Sequence, residues 1–341
     1  MKILAITILT FSMLMGTISL QAVDLKNGHP DVYIVKKGDT LWDISAVFLD
    51  KPWLWPEIWH VNPQVENPHL IYPGDELRLV YIDGKPRIVR ANDMKLSPQV
   101  RVLSEGDAIP TIPLDTIRPF LYTPRILSAE ELDSAPYILA ADAQRLIFGQ
   151  GHKVYFRGAK DDSRSAYSLF RKGDLYVDPE TEEVLGIEAV HLGSGKKIRG
   201  GDPATMMINE SVQEIMAGDR ALPFEDQLFP PVFMLRAPDS DIKAYIISVY
   251  GGVTQIGTYD VVILNKGRRE GLEVGHVMTV MQSGRMVDDK FASEEMGSDV
   301  TLPDEAGGEL MVFRVFDKTS LALIMRATRA IHVMDTAVTP R

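Results

Sequence analysis

Ser194, Gly195, Lys196 and Lys197 have the S-x-x-K spacing at which a lysine activates a serine nucleophile in some acyl-transfer enzymes. The companion motifs K-T-G and S-D-N are missing from the chain. A phosphate-binding loop is also disfavoured, because no glycine stands five residues before Gly195 and Lys197 replaces the Ser or Thr that would bind magnesium. The segment is therefore predicted to be a Gly-rich turn without catalytic function.

Other reactive residue types are equally uninformative. The chain has no cysteine, which excludes thiol nucleophiles, zinc–thiolate sites and disulfides, and its seven histidines show no H-x-H or H-E-x-x-H pairing. The 47 aspartates and glutamates could supply a carboxylate pair at glycosidase spacing, but no pair stands out by its context. We therefore predict a protein that is not an enzyme, with no catalytic residues, metal ligands or cofactors. A hydrolase with an unrecognised carboxylate pair is the alternative.

Charge and length restrict the partners and the organisation. The formal net charge of −11 disfavours nucleic acid and anionic membrane surfaces, and leaves neutral sugar polymers and other proteins as candidates. A chain of 341 residues is long enough for two or three domains. Residues 1–22 are predicted to be a cleaved secretory signal: Lys2 precedes the apolar run ILAITILTFSMLMG, and Ala22 supplies a small residue at the cut.

Residues 31–81 are predicted to form a small β-α-α-β unit. The segment DVYIVKKGD alternates as a strand, with Val32 and Ile34 on one face. Thr40 is a predicted N-cap, and Leu41, Ile44, Ser45 and Phe48 follow at helical spacing. WPEIWHVN predicts a second short helix, NPQVENPHLIYPGD a loop and turn, and ELRLVYI a closing strand.

Two stretches in this unit, YIVKKGDTLWDIS and NPQVENPHLIYPGDELRL, resemble the LysM domain, a module that binds peptidoglycan and chitin. The family's pattern has a second helix that ends in Asn-Pro and a last turn that carries Pro-Gly, which match Asn62-Pro63 and Pro73-Gly74 here. The insertion LDKPWLWPEIW departs from a minimal member by its length and its tryptophans.

The resemblance implies a site for the N-acetyl group of an aminosugar, held by main-chain N–H and C=O groups of two facing loops. The implied glycan-binding residues are Gly38, Asp39, Thr40 and Leu41 in the first loop, and Asn62, Pro63, Gln64, Leu70, Ile71 and Tyr72 in the second. Prolines in the second loop would reduce the entropy lost on binding. Asp39 could instead cap the following helix, and the tryptophans Trp42, Trp53, Trp55 and Trp59 are more often core than sugar platforms in so small a domain.

The rest of the chain is predicted to be a connector followed by a duplicated β region. Residues 82–136 are rich in proline and too apolar for a solvated linker, so we expect an extended segment that lies along a neighbouring domain. Residues 137–225 and 237–341 repeat one order of short strands and Gly turns, in which Asp219 corresponds to Asp335. The fold class is thus α+β and mainly β: a small βααβ domain followed by two related small β-barrel-like units. The second unit carries an acidic loop at 282–308.

A LysM-like domain, a Pro-rich segment IPTIPLDTIRPFL and a duplicated β region occur together in a family that this chain resembles, the type IV pilus secretin-associated proteins. Their C-terminal region is similar to that of the flagellar protein FlgT. The resemblance implies a periplasmic, cell-wall-associated protein that anchors an outer-membrane secretin ring to peptidoglycan. Its implied partners are glycan strands, through N-acetylglucosamine, and a secretin or other ring protein, with a homo-oligomer around the ring. A flagellar ring tether is a further alternative.

Overall fold

The computed structural model describes most of the chain after the predicted signal segment, which lies outside the described residues. The described residues are 24–59, 71–91, 109–112, 117, 120, 125–142, 145–159, 164–224, 233–250, 255–288 and 299–340. Strands dominate these residues and helices are few, which confirms the prediction of a mainly β protein with a small α+β domain. Within these ranges, no helix combines the length and apolar character needed to cross a membrane.

The N-terminal domain pairs a three-stranded antiparallel sheet, in the order β1-β2-β3, with short helices. Its elements are β1 (Val32–Ile34), α1 (Leu41–Phe48), a 3-10 turn (Pro52–Leu54), α2 (Trp55–Ile58), β2 (Glu76–Ile82) and β3 (Lys85–Arg90). The predicted order β-α-α-β is present, and β3 extends it into the range that the sequence assigned to the connector.

Strand β3 follows from a two-residue hairpin turn at Asp83 and Gly84. Both residues have positive φ, 51° and 72°, and Ile82 pairs with Lys85 across the turn. Asp-Gly is among the preferred sequences for such a turn, because its backbone twist matches that of the flanking strands. Pro86 is tolerated because β3 is an edge strand of the sheet.

The tryptophan of helix α1 and those of the insertion belong to the core of this domain. Trp42, Trp53, Trp55 and Trp59 are between 2% and 7% exposed, and the rings of Trp42 and Trp53 stack with their centroids 6.4 Å apart. None of the four presents an open ring face to a sugar. The insertion therefore enlarges a small core.

The β units predicted at 137–225 and 237–341 are called unit 1 and unit 2. Unit 1 is a closed ring of six strands with a seventh strand attached. Its elements are β4 (Arg125–Leu127), α3 (Ala129–Ser134), β5 (Tyr137–Ala141), β6 (Lys153–Arg157), β7 (Ala166–Val177), β8 (Val184–Arg199), β9 (Ala204–Ser211) and β10 (Arg220–Pro223). The sheet order is β4-β8-β7-β10-β5-β6-β9, and a further pairing of β8 with β9 closes β5–β10 into a ring. Ser194 and Lys197 lie inside strand β8, where β9 pairs with it, so the predicted Gly-rich turn at these residues is wrong.

Unit 2 is a closed barrel of six strands in the order β11-β12-β17-β16-β13-β18. Its elements are β11 (Lys243–Val249), β12 (Val261–Leu264), a 3-10 turn (Arg268–Glu270), β13 (Val277–Gln282), β14 (Met286–Asp288), β15 (Asp299–Thr301), β16 (Glu305–Val315), β17 (Ser320–Ala327) and β18 (Thr336–Val338). In the acidic loop, β14 and β15 pair as a separate two-stranded hairpin.

The two units share one strand topology, which is consistent with the prediction of related barrel-like units. Counting strands from the first of each ring, the pairs are first–second, second–fifth, fifth–fourth, fourth–third, third–sixth and sixth–first in both. Equivalent turns repeat in detail. Asp219 Oδ2 accepts from the N–H of Met216 (2.7 Å), and Asp335 Oδ2 accepts from the N–H of His332 (2.8 Å).

Unit 2 is apolar on the inside and also on part of its outside. Strand β12 and the first six residues of β17 are buried along their length. Their side chains point alternately into the barrel and outward, and both faces are covered by apolar residues. Leu323 of β17 and Phe313 of the neighbouring strand β16 belong to one apolar cluster with the core of the N-terminal domain and with Ile112 and Ile117 of the connector. The barrel wall therefore supports the LysM-like domain and the connector.

Candidate glycan-binding site

The first predicted loop is a tight turn over residues 36–39 whose carboxylate is used internally. The N–H of Asp39 donates to the carbonyl of Lys36 (3.2 Å), while Asp39 Oδ2 accepts from the N–H of Lys36 (2.8 Å) and from the Tyr33 hydroxyl (2.9 Å). Gly38 has a φ of 95°, a left-handed conformation that favours glycine. Burial and the neighbouring Asp39 raise the pKa of Tyr33 to about 12. Asp39 thus fixes the turn by accepting hydrogen bonds from residues that precede it.

Helix α1 begins directly after this turn, as the sequence predicts. Thr40 Oγ1 accepts from the N–H of Asp43 (3.1 Å), and Asp43 Oδ2 accepts from the N–H of Thr40 (3.2 Å), which forms a capping box. The cap leaves the N–H groups of Leu41 and Trp42 directed out of the first turn, where a helix has no internal acceptor for them. These two N–H groups are the donors that the first loop offers.

The cap predicts a measurable contribution to stability. Thr40→Ala removes the side-chain acceptor of the Asp43 N–H and is expected to lower the free energy of unfolding by about 1 kcal/mol. Thr40→Ser keeps the acceptor and should stay close to wild type. Urea unfolding of the full chain, followed by tryptophan fluorescence, measures both variants. Equal loss in the two variants would contradict the role of the hydroxyl.

The second predicted loop is described from Ile71 onward and closes with a matching turn. The N–H of Tyr72 donates to Asp75 Oδ2 (3.0 Å), and Gly74 has a φ of 95°. Val35 joins the two loops: its N–H donates to the carbonyl of Asp75 (2.9 Å) and its carbonyl accepts from Gly74 (2.8 Å). The remaining predicted members, Asn62, Pro63, Gln64 and Leu70, lie outside the described residues.

The side chains of two implied site residues point into the core. Leu41 is 4% exposed and Ile71 is fully buried, in the same apolar cluster as Leu77. Only main-chain atoms of these two residues are therefore available to a ligand. This agrees with a site in which backbone N–H and C=O groups carry recognition.

A segment that sequence reasoning did not assign to the site contacts both loops. The N–H groups of Leu41 and Trp42 donate to the carbonyls of Pro110 (3.0 Å) and Thr111 (3.1 Å), and the carbonyl of Ile71 accepts from the N–H of Ile109 (2.8 Å). We call residues 109–112 the strap. Its apolar sequence, IPTI, indicates burial, but nothing in it indicates where it packs.

Comparison with known proteins supports the assignment of the N-terminal domain. Residues 33–80 match the LysM domain family, so the chain contains a LysM domain whose limits fall close to the predicted 31–81. LysM domains bind carbohydrate, namely the N-acetylglucosamine-containing glycan chains of peptidoglycan. A module of this class recognises its ligand without transforming it.

A second similarity covers a short region of the chain. The Uncharacterized protein YqbP of Bacillus subtilis (strain 168) is 38% identical over 60 aligned positions, and the match covers 15% of this chain. The match spans 27% of the length of that relative.

Proposed function

We propose that this chain is a non-enzymatic tether of the bacterial cell wall. Its LysM domain binds N-acetylglucosamine units of peptidoglycan through the main chain of residues 38–41 and of Asn62, Pro63, Gln64, Leu70, Ile71 and Tyr72. The observation that carries the proposal is the LysM match at 33–80, together with the two turns that Val35 joins. The protein acts in the periplasm, to which residues 1–22 direct it.

Units 1 and 2 supply the protein-binding part of the tether. Their partner is a secretin or other outer-membrane ring protein, and several copies of the chain surround the ring. The shared ring topology and the burial of Ile112 and Ile117 in one apolar cluster with unit 2 support this role, because closed sheets and apolar packing hold these parts together. A single LysM domain binds weakly, and copies on one ring would gain roughly 10²–10⁴ in apparent affinity.

Binding to purified peptidoglycan sacculi tests the glycan part of the proposal. Gly38→Ala strains the left-handed turn that holds the main chain of residues 38–41, and it should weaken co-sedimentation of the full chain at least severalfold. Gly28→Ala is the matched control, because Gly28 also has a positive φ of 79° with open space around an added Cβ, and it lies outside both loops. Equal binding of both variants would contradict the site. Release of soluble muropeptides by wild type would instead support a hydrolase.

Isolation of the ring complex tests the partner. A tagged chain should co-purify with the secretin from detergent-solubilised envelopes, and secretin rings imaged from a deletion strain should lack a peripheral density. Loss of swimming with intact twitching in that strain would favour the flagellar ring. Recovery of the chain with neither ring would contradict the tether.

A further inference from the structure

We propose that the strap, residues 109–112, occupies the glycan-binding groove of this chain's own LysM domain, so that glycan binds only when the strap leaves. This inference rests on the proposed function and adds a regulatory contact to the same site. The evidence is a set of three main-chain hydrogen bonds that link the strap to both loops.

The strap carries both kinds of hydrogen-bonding group that an acetamide carries, although its N–H and C=O belong to two successive residues and not to one amide group. An N-acetyl group offers one C=O, which accepts, and one N–H, which donates. The Pro110 carbonyl accepts from Leu41 in the first loop, and the Ile109 N–H donates to Ile71 in the second. One ligand-like segment thus uses the donor of one loop and the acceptor of the other. A glycan that needs the same atoms must compete with the strap.

Burial makes the competition steric as well as electrostatic. Leu41, Trp42 and Ile71 are at most 4% exposed, while Ile109 and Thr111 above them are 8% and 2% exposed. The Leu41 and Trp42 N–H groups already donate to the strap, so a sugar cannot accept from them while the strap is in place. Entry of a sugar ring therefore requires outward movement of the strap.

The strap is anchored at its end by Ile112, which is fully buried. Ile112 belongs to the apolar cluster that joins the LysM core with Phe313 and Leu323 on the wall of unit 2. Opening the groove therefore disturbs the packing between the LysM domain and the barrel. This connection couples glycan binding to whatever loads unit 2, such as a bound partner.

A side-chain variant that releases the anchor tests the inference in the full chain. Ile112→Asp places a charge in the apolar cluster and should free the strap. The variant is expected to bind N-acetylglucosamine oligomers at least tenfold more tightly than wild type, equivalent to about 1.4 kcal/mol. Ile198→Asp makes the same chemical change at a site that is 51% exposed in unit 1 and should bind as wild type.

Three outcomes separate the inference from the proposed function. Tighter binding by Ile112→Asp alone supports the strap. Equal, measurable binding by wild type and both variants overturns the strap and leaves glycan binding intact. Binding by none of them, with native circular dichroism, contradicts the strap and the proposed function together.

Hydrogen–deuterium exchange on wild type tests the inference without any substitution. Saturating N-acetylglucosamine oligomers should speed exchange in peptides that contain residues 109–112, because the strap is displaced. Peptides with Leu41 and Trp42 should stay protected, because the sugar replaces the strap as acceptor. Unchanged or slower exchange at the strap on glycan binding would overturn the inference even if Ile112→Asp fails to fold.

Discussion

Asp178→Ala is expected to lower the free energy of unfolding by about 3 kcal/mol, because it removes the buried carboxylate that joins units 1 and 2. Asp178 lies in the turn between β7 and β8 and is 2% exposed. Its Oδ2 accepts from Asn265 Nδ2 (2.9 Å) and from Lys266 Nζ (3.3 Å), both in unit 2. Asn265 is fully buried, so loss of the carboxylate leaves a polar group without that acceptor inside the interface.

The same turn makes further contacts that hold it in place. The other carboxylate oxygen of Asp178 accepts from the N–H groups of Glu180 (2.9 Å) and Thr181 (3.1 Å). Glu183 accepts two hydrogen bonds from Arg269 (3.0 and 3.1 Å) and pairs with Lys318 (2.7 Å). These exposed pairs are screened by solvent, so Asp178 carries most of the effect.

Urea unfolding of the full chain measures the loss, and Asp174→Ala is the matched control. Asp174 is exposed in the neighbouring strand β7, and its substitution should change the free energy of unfolding by less than about 0.5 kcal/mol. Similar values for the two variants would contradict a structural role for Asp178 at the interface.

The pH dependence gives an independent reading of the same group. Burial alone would raise the pKa of Asp178, but the N–H groups of Glu180 and Thr181 and the charge of Lys266 outweigh it and lower the pKa to about 2. In the unfolded chain an aspartate has a pKa of about 3.9, so as the pH falls Asp178 is protonated in the unfolded state before it is protonated in the folded state. The stabilisation is therefore complete above about pH 5 and is lost towards pH 2. The difference between wild type and Asp178→Asn should shrink over that window.

Gly275→Ala is expected to cost about 2–4 kcal/mol, because no side chain fits between the barrel and the segment that covers it. Gly275 has a φ of 93°, and an added Cβ would overlap the carbonyl oxygen of Met234. The Gly275 carbonyl also accepts from the N–H of Arg236 (3.1 Å). Beside this contact, Phe233 and Leu235 cover the outer wall of unit 2, so displacement of the segment would expose apolar surface.

Gly271→Ala separates the overlap from the backbone strain. Gly271 has a similar φ of 89°, but nothing lies within 4 Å of its added Cβ. An alanine at this position is destabilised only by the left-handed conformation, which lowers the free energy of unfolding by about 1–2 kcal/mol. In thermal unfolding, the melting temperature of Gly275→Ala should be clearly lower than that of Gly271→Ala. The same melting temperature for both would show that the covering segment moves at no cost.

Local signals in the sequence predict local structure well in the LysM domain. Thr40 before the helical spacing of Leu41, Ile44 and Phe48 indicated a capped helix start, and that cap is present. The Asp83-Gly84 turn is an equally strong hairpin signal, but the Pro-rich composition after it predicts a connector, so the sequence does not predict β3. Alternation predicted β1 but not which face is buried: Val32 and Ile34 are 42% and 60% exposed, while Val35 is 2% exposed.

Long-range features were predictable only where the chain repeats itself. The match of Asp219 to Asp335 identified equivalent turns, because a side chain that closes a turn acts within a few residues of its own position. The order in which the strands pair around each ring could not be predicted from this repeat. Pairing partners such as β12 and β17 are set by closure of the barrel, which depends on all six strands together.

The sequence by itself determined the LysM domain, its capped helix, its Gly turns and the duplicated β region, because each follows from residues that are close along the chain. Only the tertiary structure decided what lies on the candidate site. Leu41 and Pro110 meet although about 70 residues separate them, and the apolar composition of IPTI fits any hydrophobic surface. Main-chain hydrogen bonds carry that contact, and every residue has the same main-chain groups, so side-chain types could not reveal it.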